Sequence, residues 1–217
     1  MRTFAAAAVL ATVAGTASAD VITSWTNFGQ PGDQAASPVN VEATNVTGID
    51  MTRGAGLGAN TGGNSLNSNG WDGLDADDYI SFGFTVDAGY SVDLDTFWFG
   101  SRSSNSGPGD MGVFYSVDGF TTPIYTFTQS GTNFNNAIAD VSALTGLTGT
   151  VEFRIAALSD TRADGGTGIS GSGTFRVGDH FDGSNFTEVR FEGTVVPAPA
   201  SAALLGLGGL VAVRRRR

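Results

Sequence analysis

The sequence predicts an all-β fold, an antiparallel β-sandwich of the jelly-roll kind. Three observations carry that expectation. Short segments rich in Val, Ile, Phe, Tyr and Thr alternate apolar and polar residues with a period of two. Glycine is abundant, 32 of 217 residues, and joins Ser, Thr, Asn and Asp in clusters between those segments. No long stretch repeats apolar residues at helical spacing, and no internal repeat aligns at solenoid or propeller spacing. Two facing sheets bury alternating positions without leaving long exposed edges, which favours a jelly roll.

The elements follow in order. Val21 to Phe28 is the first strand, closed by the turn Gly29-Gln30-Pro31-Gly32-Asp33, and Val39 to Val46 is the second. Residues 54–73 read as a long Gly/Asn/Ser loop with Trp71 as its one large anchor. Tyr79 to Val86 is the clearest strand, with Ile80, Phe82, Phe84 and Val86 on one face. In Val92 to Phe99, Val92 and Leu94 face in while Asp93 and Asp95 face out. The apolar set then changes face at Phe97-Trp98-Phe99, which predicts a bulge or a strand buried on both sides. Met111 to Val117, Ile124 to Gln129, Val151 to Leu158, Gly173 to Val177 and Glu188 to Val196 complete the set. An isolated helical stretch is expected around Asn135 to Leu144, and Gly178 to Thr187 reads as an insertion before the last strand.

Both ends of the chain differ in kind from this middle. Arg2, the apolar run Phe4 to Val13 and the small-x-small pattern Ala17-Ser18-Ala19 follow the plan of a secretory signal peptide, with removal by signal peptidase after Ala19. At the other end Val196-Pro197-Ala198-Pro199 precedes an uncharged stretch, residues 200–213, and then Arg214, Arg215, Arg216 and Arg217. Fourteen residues of helix reach about 21 Å, against a hydrocarbon core of about 30 Å. Flanking residues and snorkelling arginines close most of that gap. The terminal arginines would stay cytoplasmic and act as a membrane stop, with the domain outside. The division expected is 1–19 signal peptide, 20–196 ectodomain and 197–217 tail.

That three-part tail resembles the PEP-CTERM sorting signal of bacterial surface proteins. The resemblance implies recognition by an exosortase-like membrane protease, cleavage near the Pro-containing motif, and residence at the cell surface or in the extracellular matrix. Ala198 stands where the family usually has Glu. The segments Leu94 to Phe99, Ser116 to Phe120, Leu147 to Arg154 and Phe175 to Val177 are similar to segments of PEP-CTERM ectodomains with predicted jelly-roll folds.

Charge and composition exclude several functions. All 21 acidic residues lie in 20–196, against six arginines and no lysine, a net charge of −15 there. Such a surface repels nucleic acid and anionic membranes. With no cysteine, thiol chemistry is impossible, and with no lysine so is a Schiff base. The single histidine, His180, reads as solvent-exposed in a loop, and no Gly-x-Ser-x-Gly elbow accompanies it. No catalytic residue is assigned.

Two features remain. Asp72, Asp75, Asp77 and Asp78 crowd the approach to the Tyr79 strand and would be the ligands if calcium were bound. Their spacing is not that of an EF-hand, and a hydrated acidic loop is the favoured explanation of them, so no cofactor is expected. The aromatic residues Trp25, Trp71, Trp98, Tyr90 and Tyr115 could form a platform for extracellular polysaccharide. Trp71 reads as the exposed candidate and Trp98 as core. The main reading is thus a non-enzymatic exported surface or matrix protein, with a carbohydrate-binding module as alternative. A polysaccharide-cleaving enzyme using carboxylates such as Asp93 and Asp95, or Glu188 and Glu192, comes third, because same-face carboxylates usually mark only a solvated sheet.

Overall fold

The alternating segments form strands, all paired antiparallel, in a computed structural model that describes residues 19–72 and 74–197. In chain order they are β1 (Asp20–Trp25), β2 (Ala36–Ser37), β3 (Val39–Glu42), β4 (Val46–Arg53), β5 (Gly58–Ala59), β6 (Ser65–Asn69), β7 (Tyr79–Val86) and β8 (Tyr90–Ser103). Then come β9 (Asp110–Tyr115), a 3₁₀ turn at Ser116–Asp118, β10 (Tyr125–Thr128), β11 (Asn135–Asp140), β12 (Gly149–Ala157), β13 (Phe175–Gly178), β14 (His180–Phe181), β15 (Phe186–Thr187) and β16 (Val189–Pro197). The larger sheet runs β3-β1-β16-β8-β13-β6-β5, with β11 on the free flank of β8; the smaller runs β10-β9-β12-β7-β4-β2.

The period-two pattern decides which side chains meet between the sheets. Ile80, Phe82, Phe84 and Val86 of β7 and Val151, Phe153 and Ile155 of β12 are buried against Val92, Leu94, Phe97 and Phe99 of β8. Phe191 of β16 sits at the centre, its ring 4.4 Å from Phe153 and 4.5 Å from Phe97. Trp25 meets Phe82 edge-on at 5.3 Å, and its Nε1 donates to the Ile49 carbonyl at 2.9 Å. Each such aromatic pair adds about 0.5–1.5 kcal/mol beyond its burial. Every described strand of both sheets, and every described core residue, lies between residues 20 and 197.

The face change expected in β8 is a bulge. Leu94 pairs with Gly193 and Thr96 with Glu192, which leaves Asp95 as the extra residue. The shift is what allows Phe97 and Phe99 to continue the buried face begun by Val92 and Leu94. Gly193 is required there, since a Cβ would lie 2.2 Å from the Asp93 carbonyl oxygen.

The insertion expected at 178–187 also has a structural form. β13 and β16 lie end to end along the same flank of β8, Gly178 opposite Gly100 and Arg190 opposite Trp98. They form one line interrupted opposite Phe99, where the β14–β15 hairpin is extruded over the outer face.

Three expectations are corrected. The stretch beginning at Asn135 is not helical: β11 pairs along β8 from Asn135 opposite Ser101 to Asp140 opposite Thr96, placing the small side chains Ala137 and Ala139 inside. Residues 54–73 are not one loop, because β6 pairs with β13 over four residues and β5 flanks it. The second strand is in fact two, since the chain turns at Ala43 to Asn45 and then forms β4 in the other sheet.

Replacing Phe191 with Ala should cost about 3–5 kcal/mol in urea denaturation, whereas Ile138→Ala, on a residue 49% exposed, should change stability by less than about 0.5 kcal/mol. Comparable losses for the two would contradict a core centred on Phe191.

Candidate functional site

The aromatic residues expected as platforms divide differently in three dimensions. Trp71 is fully buried, its Nε1 donating to the Ser68 carbonyl at 3.2 Å and its ring edge-on to Phe175 at 5.4 Å, so it is core rather than platform. Trp25 is core as well. Trp98, expected in the core, stands half-exposed on the outer face of the larger sheet between Arg190 and Ile138. Its Nε1 donates to Glu192 Oε2 and to Thr96 Oγ1, both at 3.0 Å, and Arg190 lies over its ring at 5.0 Å. The reversal follows from the bulge at Asp95, which turns Trp98 outward.

His180 is not exposed: it is 7% accessible and packs edge-on to Trp98 at 5.1 Å. Burial holds its pKa below the usual value, with the Arg190 charge adding to that and Asp182 opposing it. Among the described residues its Nδ1 meets no hydrogen-bond partner, so the carboxylate contact that orients a triad histidine is not made there. Of the carboxylates considered for hydrolysis, Asp95 is exposed at the bulge and the other three are engaged structurally. Asp93 accepts from the Gly146 N–H at 2.6 Å, Glu188 from Ser24 Oγ at 2.7 Å and from Asn40, and Glu192 pairs with Arg190 at 2.6 Å.

The four aspartates before β7 do not converge. Asp72, Asp75 and Asp77 are exposed, whereas Asp78 is 6% accessible and accepts from the Asp75 N–H at 3.2 Å. Gly56 leaves room for it, since a Cβ there would lie 2.0 Å from Asp78 Oδ1. Among the described residues no group of three or more His, Cys, Asp or Glu is placed to hold a metal ion. Of the sorting motif, Val196 and Pro197 form the end of β16 opposite Ser91 and Tyr90. Ala198, Pro199, the apolar stretch 200–213, the four terminal arginines and Ala17 lie outside the described residues, while Ala19 is exposed just before β1. Among the described residues no helix is long and apolar enough to cross a membrane.

A site that sequence reasoning missed lies on the outer face of the smaller sheet. A cleft of about 140 Å³ is lined by Tyr79, Phe114, Phe120, Arg154 and Ala156, with Asp75 and Asp78 at its rim. Arg154 of β12 pairs with Ser81 of β7 on one side and Phe114 of β9 on the other, while Tyr79 sits opposite Ala156. Its guanidinium is held between two rings, 3.9 Å from the centroid of Tyr79 and 3.9 Å from that of Phe120. Its Nε donates to Glu152 Oε1 at 2.7 Å, and its two terminal nitrogens make no hydrogen bond to a described residue.

Phe120 reaches Arg154 through a turn that few aromatic residues adopt. Its φ is 59°, directly after Gly119 at 74°, and its N–H donates to the Tyr115 carbonyl at 3.0 Å. Left-handed backbone at a bulky residue costs about 1–3 kcal/mol. Asp118 holds the turn by accepting from the N–H groups of Thr121 and Thr122 at 3.3 and 3.1 Å. The arrangement presents guanidinium N–H donors, and beside them carboxylate acceptors, over an apolar floor of Phe114 and Ala156. It suits an uncharged ligand with hydroxyls around an apolar ring face. A wider recess of about 640 Å³ lies near Tyr90, Glu42 and Pro197, but no charged donor lines it.

No protein-family model and no curated protein matches the chain. Among solved structures, a mutant of CBM29-2, a family 29 carbohydrate-binding module, is 12% identical with a TM-score of 0.38, over 82% of this chain and 92% of that one. A second mutant family 29 module is 13% identical with a TM-score of 0.37, over 76% and 89%. A superposition this loose says nothing about a binding site.

Asp78 gives the site region a pH signature. Burial and then the charges of Asp75, Asp77 and Asp72 hold its carboxyl above the ordinary value, against the lowering effect of the Asp75 N–H bond. A raised folded pKa means the native state binds this proton more tightly than the unfolded chain. Its contribution is therefore fully present below the unfolded pKa and is lost as pH rises through the folded pKa. Asp78→Asn keeps an acceptor for the Asp75 N–H and removes the buried charge. Thermal melts should show a higher Tm for the variant at pH 7 and no gain at pH 3; equal Tm values at pH 7 would contradict this.

Proposed function

We propose that this protein is an exported, non-enzymatic β-sandwich that binds carbohydrate of the cell envelope or extracellular polymer through the Arg154 cleft. One observation carries the binding reading: a guanidinium clamped between Tyr79 and Phe120, with free terminal nitrogens beside an apolar floor. A sugar ring needs both parts, apolar surface for its C–H face and fixed donors for its hydroxyls. The acidic cluster adds acceptors at Asp75 and Asp78. The two carboxyl groups at the cleft, Asp75 and Asp78, belong to one short loop in which Asp78 accepts from the Asp75 N–H. They do not flank the cleft from opposite walls as a glycosidase pair does, which favours binding over turnover. The wiring reads as jelly-roll-like, with the last strand β16 set between β1 and β8.

A glycan array probed with residues 20–197 tests the cleft. Wild type should bind a neutral glycan, and Arg154→Ala should weaken that binding about tenfold to a hundredfold, the worth of a charge-assisted hydrogen bond of about 1.5–3 kcal/mol. Phe120→Ala, which leaves the guanidinium in place but unclamped, should weaken it less. Absence of wild-type binding to any neutral glycan would remove the reading.

Export and sorting rest on the order of signal peptide, domain, Val196 to Pro199, apolar stretch and terminal arginines. On this proposal signal peptidase and an exosortase-like protease process the two ends. Fractionating cells that express the full chain or a chain ending at residue 199 should show envelope retention only for the full chain. Equal retention would count against tail-directed sorting.

A further inference from the structure

The strongest unexplained feature is a pair of like charges on the outer face of the larger sheet. Arg176 of β13 stands directly opposite Arg102 of β8. Directly opposed side chains in antiparallel strands have Cβ atoms about 4.5–5.5 Å apart, and like charges so placed destabilise the pairing. The surrounding chemistry makes this placement harder to explain. The segment 20–196 carries 21 carboxylates and six arginines, so partners are plentiful.

The other four arginines are all engaged. Arg53 donates to the carbonyls of Gly32, Gln34 and Asn67. Arg154, Arg162 and Arg190 each pair with a carboxylate two residues along the chain. Arg102 and Arg176 make neither an ion pair nor a side-chain hydrogen bond among the described residues, yet both are partly buried. Burial lowers the Arg176 pKa, the Arg102 charge lowers it further, and no carboxylate opposes either effect.

The neighbours on that face complete the picture. On one side Phe134 is 44% exposed and lies against Gly100, two residues before Arg102, where a Cβ would come within 2.3 Å of its ring. On the other side Asn67 stands opposite Arg176, 4% accessible. Its amide nitrogen is engaged with Asn60 Oδ1 and the Thr61 carbonyl, and its buried Oδ1 has no partner. An exposed aromatic ring and two uncompensated guanidinium groups therefore line up across neighbouring strands, while the Asn67 amide oxygen beside them, an acceptor, adds nothing for an anion.

We propose that Arg102 and Arg176 form a second binding site, distinct from the Arg154 cleft, for the carboxylate or sulfate group of an acidic sugar seated against Phe134. Paired guanidinium groups match such oxyanions in geometry and charge, and a bound anion removes the repulsion between them. The negative charge of the whole domain does not forbid this, because exposed carboxylates beyond about 8–10 Å are largely screened at physiological salt. The choice of a sugar as carrier rests on the carbohydrate reading above; the anion site rests on the arginine pair alone.

Isothermal titration of residues 20–197 with a galacturonic acid hexamer, a sulfated glucan hexamer and neutral cellohexaose separates the two sites. At least one acidic hexamer should bind wild type, more weakly as salt is raised, and the better of the two identifies the group. The double variant R102Q/R176Q should lose at least tenfold in that affinity, while Arg154→Ala should keep it. The double variant should also melt at a higher temperature than wild type in the absence of ligand, since it removes the repulsion. Acidic-hexamer binding together with no neutral-glycan binding would leave this site standing and remove the cleft reading. Failure of both acidic hexamers to bind wild type, undiminished binding by the double variant, or a lowered Tm for it would overturn the anion site.

Discussion

The structure depends on the contact between Phe191 and the rings around it. β16 is the last strand, yet it lies between β1 and β8 and carries Phe191 onto Phe97 of its own sheet and Phe153 of the facing one. Phe82 extends the stack to Trp25, and Phe84 meets Phe191 edge-on. With no disulfide available, this interlocked apolar layer is what keeps the two sheets in register. The outward-facing strand side chains Arg154, Arg102 and Arg176 owe their direction to inward-facing neighbours fixed in the interior: Phe153 and Ile155, Ser101 and Ser103, and Phe175 and Val177 respectively.

Strand alternation made the best-packed part of this arrangement legible from sequence. β7 is readable to the residue, because its four inward positions, Ile80, Phe82, Phe84 and Val86, are all large and apolar and alternate with Tyr79, Ser81, Gly83 and Thr85. β4 is not, since a register shift between Ile49 and Thr52 breaks its period and Gly48 stands where Val39 and Thr23 press against the backbone. β6 escaped because its buried side chains are mostly Ser and Asn, which carry the composition of a loop. In β11 only Ala137 and Ala139 reach the interior, and small residues give no strand signal.

The candidate sites were less legible for a different reason. Arg154 was visible as an outward residue of β12, but its rings come from β7 and from a turn after β9. Nothing local in the sequence announces that Phe120 adopts left-handed backbone. Trp71 looked exposed because its flanks are polar; the polar flanks prove to be strand β6 and the bend that folds it inward. Arg102 and Arg176 are separated along the chain and meet only through the β8–β13 register. Pairings of this kind are set by topology, which single-sequence periodicity does not encode.

The interruption between β13 and β16 carries one more consequence. Gly178 and Arg190 flank a single residue of β8, so the excursion between them enters and leaves the sheet at almost the same point. The base of that excursion is fixed, with Asp179 accepting from the Asn27 N–H, His180 packed on Trp98 and Val189 buried. Its exposed tip, residues 182–185, is where length and content can vary while the two halves of the line stay aligned, which makes the tip a natural graft point for foreign loops or epitopes.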